Sequence, residues 1–289
     1  MKKVLLLIVL GQSNAHGHGT LLSEKQKILQ PLKNVYGLSR KYNQVEKPNR
    51  VIWSGYTSYG MNLGETQDHT WCLATELARM WQTEIDAGRT LPDLYIIQSS
   101  IGSQGVHCYE KKGRNMWYYN RPLVVHPGVL GEVNISLYPF TRRILKLAMR
   151  SLMERVDCMP EIAGLHWNQW ETEVDTGDVA IDHAYENYWR LWEGFGDALG
   201  TNYPLYLYRP LSDVYEKPEE VKKMNGIFEQ FCQERENTKI LDISKSDLWK
   251  GFEKNHGIFQ EDGIHYSPEA HQWFARQQFE DLMLKWRID

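Results

Sequence analysis

The sequence predicts an α/β protein of three layers, α/β/α, around a central parallel sheet. Three observations predict it. The chain opens on an apolar run, Val4 to Leu10, closed by Gly11. A run of that length bounded by glycine marks a strand buried on both faces, as the strands of parallel sheets are. Further strand-length apolar runs recur with amphipathic stretches of helical length between them, the alternation that builds βαβ units with right-handed crossovers. The composition, 42% hydrophobic over 289 residues, suits a sizeable core. No repeat, low-complexity segment or linker divides the chain, so residues 1–289 are read as one domain.

Taken in order, residues 4–10 form the first strand and 50–53 a short second one. Residues 94–98 follow Pro92 and read as a buried strand; residues 161–167 follow Pro160 in the same way. Residues 204–208 and 239–243 complete the set. Helices are expected over 70–85, 139–155, 183–199 and 218–235. A last helix begins at Ser267-Pro268-Glu269, with serine as N-cap and proline at the first helical position, where its missing N–H costs nothing. Two segments stand outside this alternation. Residues 21–65 are polar and rich in Tyr, Asn and Gly; residues 106–131 are loop-like and contain Trp117-Tyr118-Tyr119. Long irregular segments in a compact domain are functional or disordered, and the aromatic content favours ordered walls around a site.

Bulk properties exclude several partners. The formal net charge is −4 and no basic block occurs, so nucleic acid is not expected as a partner. The longest apolar run is far short of a membrane span, so no membrane insertion is expected. Eleven Trp and sixteen Tyr fit either a large aromatic core or a sugar-binding cleft, and composition does not separate the two. Cys72, Cys108, Cys158 and Cys232 are scattered without a C-x-x-C pair and read as reduced thiols. His16-Gly17-His18 has no second ligand pair, so no metal and no cofactor is expected. His107, His126, His166 and His183 read as structural or rim residues. Lys2-Lys3, the apolar run and Ser13-Asn14-Ala15 mimic a short signal peptide, but cleavage there would remove Ser13. The expectation is a cytoplasmic protein as the chain stands, periplasmic or secreted where a longer precursor carried an export signal.

The chemistry lies at the two ends. Ser13 follows the first strand directly, at the carboxyl edge where open α/β sheets bind ligands. A serine at a strand-to-helix junction is often a plain N-cap, and Asp-Gly is a frequent turn pair. The conjunction is more informative. Asp262-Gly263-Ile264-His265 places a carboxylate and an imidazole three residues apart on one loop. In the order Ser13, Asp262, His265 these are a nucleophile, an orienter and a base.

Gly11-Gln12-Ser13-Asn14 with Asp262-Gly263-Ile264-His265 resembles the SGNH hydrolases, and more narrowly the carbohydrate acetylesterases of the sialate O-acetylesterase and acetylxylan esterase type. The stretch from Gln98 to Val106 resembles that family's second block, whose first glycine gives an oxyanion-hole amide, and Trp167-Asn168-Gln169-Trp170-Glu171 resembles its W-x-Q-G-E block. Four blocks in the right order cover nearly the whole chain. The resemblance implies a flavodoxin-like strand order and a serine esterase that removes O-acetyl groups from a carbohydrate through an acyl-enzyme, without a cofactor. It implies Ser13 as nucleophile, His265 as base and Asp262 as orienter. It also implies an oxyanion hole from the N–H groups of Ser13 and Gly102 and the side-chain amide of Gln169, the preorganised donors that acyl transfer needs.

Gln12, Trp117, Trp170 and Glu171 are read as substrate-binding. Departures from the family pattern are Trp170 and Ser103 where glycines stand, and Ala15 where Met is usual. Trp170 either narrows the acyl pocket or points away. Glu171 either orients Gln169, contacts the sugar or competes with Asp262 for His265. Trp53, Trp71, Trp117 and Tyr118 offer flat faces to a pyranose or pack the loops. The alternatives to an acetylesterase are a general carboxylesterase or lipase-like SGNH hydrolase and a non-catalytic carbohydrate-binding protein. No motif speaks to the oligomeric state.

Overall fold

The opening apolar run becomes the central strand. β1 (Val4–Gly11) is buried along its whole length and pairs with a parallel neighbour on each side, which is why it has no polar face. The structure, a computed structural model, describes residues 3–45, 47–109, 114–127, 133–156, 160–211, 216–250 and 254–285. After β1 come α1 (Ser13–His16), β2 (Val35–Leu38), α2 (Arg40–Asn43) and β3 (Trp53–Gly55). α3 (Leu73–Asp86) leads into β4 (Asp93–Ser100). A small antiparallel ribbon, β5 (Val125–Pro127) and β6 (Val133–Ile135), precedes α4 (Leu137–Val156) and β7 (Glu161–Asn168). Then follow α5 (Glu171–Thr176), α6 (Asp178–Ile181), α7 (Ala184–Leu199), β8 (Leu205–Tyr208), α8 (Pro218–Glu234), β9 (Thr238–Leu241) and α9 (Pro268–Lys285).

The main sheet runs β3-β2-β4-β1-β7-β8-β9. Its five strands β4-β1-β7-β8-β9 are parallel and follow the flavodoxin-like order, with the first strand between the second and third. β2 adds a parallel edge beside β4, and β3 closes that edge antiparallel to β2. The chain leaves β1 toward β4 on one side and crosses to β7 on the other. The crevice at the carboxyl ends of these three strands is therefore the topological switch point, where open α/β sheets bind ligands.

Alternate residues of β1 feed two cores, as the two-residue period of a strand requires. Val4, Leu6, Ile8 and Leu10 pack with Ile144, Leu191, Phe195 and Phe228 from α4, α7 and α8. Leu5, Leu7 and Val9 pack with Leu77, Trp81, Phe274 and Leu282 from α3 and α9. This gives the three layers. The last helix is capped as expected, with the Ala270 N–H donating to Ser267 Oγ at 3.2 Å.

Two corrections concern the strands. The second strand expected over 50–53 is instead β3, an antiparallel edge strand beginning at Trp53. β2 falls inside the segment read as irregular, because its four residues include a glycine and show no hydrophobic period. Cys72, Cys108 and Cys232 are free thiols, while Cys158 lies outside the described residues. Among the described residues, no helix is long and apolar enough to cross a membrane.

Candidate active site

Gly11 makes the exit from β1 possible. Its φ is +141°, and a Cβ there would lie 2.0 Å from the carbonyl oxygen of Asn168 on the neighbouring strand β7. Only glycine lets the two backbones approach so closely. The Gln12 N–H then donates to that carbonyl at 3.1 Å. Ser13 follows as the first residue of α1, 9% exposed.

The second half of the site is the turn before α9. Asp262 Oδ1 accepts the N–H groups of Ile264 at 2.9 Å and His265 at 3.0 Å, and its Oδ2 lies 2.6 Å from His265 Nδ1. Partial burial works to raise the Asp262 pKa, but the N–H and ring of His265 and the N–H of Ile264 outweigh it and hold the carboxyl below its usual range. A carboxylate can only accept, so in the neutral imidazole the shared proton sits on Nδ1 and the lone pair on Nε2.

Neighbours of Ser13 stitch the two halves together. Asn14 Oδ1 accepts the Tyr266 N–H at 2.9 Å, and Asn14 Nδ2 donates to the Ile264 carbonyl at 3.2 Å. Gln260 Nε2 donates to the His18 carbonyl at 2.7 Å, and the His18 N–H donates to the Ser13 carbonyl at 3.0 Å. The His18 ring lies against the His265 ring, centroids 4.4 Å apart. The residues flanking Ser13 thus grip the residues flanking His265.

The third wall comes from the turn that follows β4. A Cβ on Gly102 would lie 3.6 Å from Ser13 Cβ, so this backbone borders the serine. The Gly102 N–H donates to Glu65 Oε2 at 2.9 Å. Among the described residues, no group of three or more His, Cys, Asp or Glu is placed to hold a metal ion.

No family model matches the sequence, and no curated protein matches it either. Solved structures do. NanS is similar over 99% of this chain and 98% of its own, with a TM-score of 0.63 at 16% identity. A protein from Arabidopsis thaliana is similar over 97% of this chain and 98% of its own, with a TM-score of 0.57 at 14% identity. The likeness shows a shared fold, three α/β/α layers around a mainly parallel sheet.

Within that fold, several side chains stand elsewhere than the sequence suggested. Gln169 is fully buried and its Nε2 donates to Glu173 Oε2 at 2.9 Å, so one hydrogen of the amide it would bring to an oxyanion hole is committed to that carboxyl. Glu173 explains the diversion. This buried carboxyl also takes the Val106 N–H at 2.7 Å and the Tyr188 hydroxyl at 3.1 Å, and burial pushes its pKa up to about 7. A buried carboxyl needs every donor within reach.

Trp117 and Trp170, read as substrate-binding, are core residues, 0% and 1% exposed. The Trp117 indole donates to the Gly11 carbonyl at 3.0 Å and meets Trp167 edge-on at 5.0 Å, so it braces the strand end below Ser13. Gln12 is 4% exposed and spans Glu171 and the Thr172 hydroxyl, so its polar atoms are committed. Glu171, 2% exposed, accepts from Gln12, from Asn14 at 2.8 Å and from the Trp170 N–H at 3.1 Å. Burial raises its pKa against these bonds. Its hydrogen bonds go to neither Gln169 nor His265. Glu171 anchors the residues on both sides of Ser13, and the Nδ1 of His265 bonds Asp262.

Sequence reasoning missed Glu65, His18 and the bridging part of Asn14. Asn14 was signalled by its place in the G-Q-S-N block. Glu65 carries no local signal. It closes the segment 21–65, whose reading as a wall of the site applies at this end. Its carbonyl is held by Arg40 Nη1 at 2.7 Å.

Proposed function

We propose that the chain is a serine ester hydrolase that removes O-acetyl groups from a carbohydrate. The observation that carries this is the 2.6 Å contact from Asp262 Oδ2 to His265 Nδ1, on a loop bonded through Asn14 to the serine turn at the switch point. On this basis, His265 Nε2 takes the Ser13 hydroxyl proton as Oγ attacks the acyl carbon. The N–H groups of Ser13 and Gly102 receive the developing oxyanion. The proton passes to the departing sugar oxygen, and water activated by the same imidazole hydrolyses the acyl-enzyme. No metal or cofactor is required. The four-block resemblance supports the acetyl-sugar half.

The test is acetate release from O-acetylated sugars, beside acetyl, butyryl and octanoyl esters of one leaving group. Acetate is expected from a sugar, with activity falling along the ester series. Ser13→Ala should lower kcat by roughly 10³-fold or more with the fold intact. A rising kcat/KM with chain length and no acetate from any sugar would make the chain a lipase-like hydrolase. Absence of Ser13-dependent turnover on every ester would leave only a carbohydrate-binding protein.

A further inference from the structure

Glu65 stands in the site without a part in the chemistry proposed above. Its Oε2 accepts the Gly102 N–H at 2.9 Å, and a Cβ on Gly102 would lie 3.7 Å from that oxygen and 3.6 Å from Ser13 Cβ. The carboxylate therefore sits on the donor that an ester carbonyl needs, beside the serine that would attack it. Among the described residues, the basic group within ion-pair distance is the His16 ring, with Nε2 at 3.6 Å. His16 is 1% exposed, and burial takes its pKa down to about 4 against the opposing pull of Glu65, so the imidazole is uncharged at neutral pH. Arg40 grips the Glu65 carbonyl from behind, while its other guanidinium nitrogen pairs with Asp68 at 2.8 Å. The backbone is clamped, and the side chain, 33% exposed, has water to swing into.

We propose that Glu65 is a carboxylate plug of the oxyanion hole, an inference that rests on Gly102 N–H being an oxyanion donor. Between turnovers it fills the acyl-oxygen position. It yields to the uncharged carbonyl of an ester and returns to expel the acetate anion formed by hydrolysis. Like charges a few ångströms apart in a partly desolvated site repel strongly, whereas a neutral carbonyl only competes for the hydrogen bond. Glu65 is thus a specificity determinant, favouring neutral esters over anionic ligands.

The experiment titrates sodium acetate into wild type, Glu65→Ala and Glu65→Gln, following Trp fluorescence or chemical shifts, and measures p-nitrophenyl acetate kinetics on the same preparations. Glu65→Ala is expected to bind acetate roughly tenfold tighter or more and to lower KM with kcat little changed. Glu65→Gln keeps an oxygen for Gly102, so it should tighten acetate through loss of charge while KM stays nearer wild type. Unchanged acetate affinity in both variants, or a fall in kcat with KM unchanged, overturns the plug. Where Glu65→Ala melts below the assay temperature, the acetate affinity of Glu65→Gln decides alone. The titration needs no turnover. Tighter acetate in the variants of a protein that hydrolyses no ester keeps the plug and removes the hydrolase; unaltered acetate affinity in an active esterase does the reverse.

Discussion

Replacing Asn14 by alanine tests whether the two halves of the site are held together as the hydrogen bonds indicate. Asn14 is 3% exposed and bonds Glu171 Oε1 at 2.8 Å, the Ile264 carbonyl at 3.2 Å and the Tyr266 N–H at 2.9 Å. In Asn14→Ala, the N–H of buried Tyr266 loses its acceptor and Glu171 Oε1 its donor. A buried polar group deprived of its partner costs roughly 1–3 kcal/mol, so two such losses cost about 3 kcal/mol after some relaxation. At roughly 2–4 °C per kcal/mol for a chain of this size, melting should fall by about 6–12 °C. Turnover on an acetate ester should fall on the order of 10²-fold, because a shift of about 1 Å between nucleophile and base costs that much. Asn14→Asp supplies an internal check. It keeps an acceptor for Tyr266 but sets a second carboxyl against Glu171. Two carboxylates in contact cannot both ionise cheaply, so this variant should be worse than alanine at neutral pH and should recover as pH falls. Calorimetry and steady-state kinetics measure both effects. Unchanged melting together with unchanged turnover in Asn14→Ala would refute the stitching role.

Two further outcomes follow from buried side chains. Burial pushes the Glu173 pKa from the usual carboxyl value of about 4.5 up to about 7; a carboxyl whose folded value lies above its unfolded one takes up a proton on folding, so its contribution costs stability as pH rises from about 4.5 to about 7, by about 3 kcal/mol in all. Glu173→Gln should flatten that part of the pH dependence in urea unfolding, and an identical slope in both proteins would count against it. Trp170→Ala should cost about 3–5 kcal/mol as a core cavity and leave the acyl-chain preference unchanged; gain of octanoyl activity at full stability would restore Trp170 as a pocket wall.

The sequence determined what depends on neighbours along the chain. β1 is legible because a strand with parallel partners on both sides and helices over both faces has no polar position, which writes an unbroken apolar run. Ser13 is legible because it ends that run, and the Asp262–His265 contact because three residues of one turn bring the groups together without help from the rest of the fold. The order of the five parallel strands came only through family resemblance. The tertiary structure alone decided partners. β2 carries no period, and its pairing with β4 makes it a strand. Gln169 has the chemistry of an oxyanion donor, but the buried Glu173 four residues on claims one hydrogen of its amide. Trp117 has the face to stack on a sugar, but packing sends its indole to the Gly11 carbonyl. Glu65 and Gly102 meet because β4 ends where the inserted segment returns, and Asn14 reaches Ile264 across 250 positions. A residue's type states which bonds it can make; which of them it makes is set by the groups that burial leaves within reach, because each buried polar atom must be satisfied by what surrounds it.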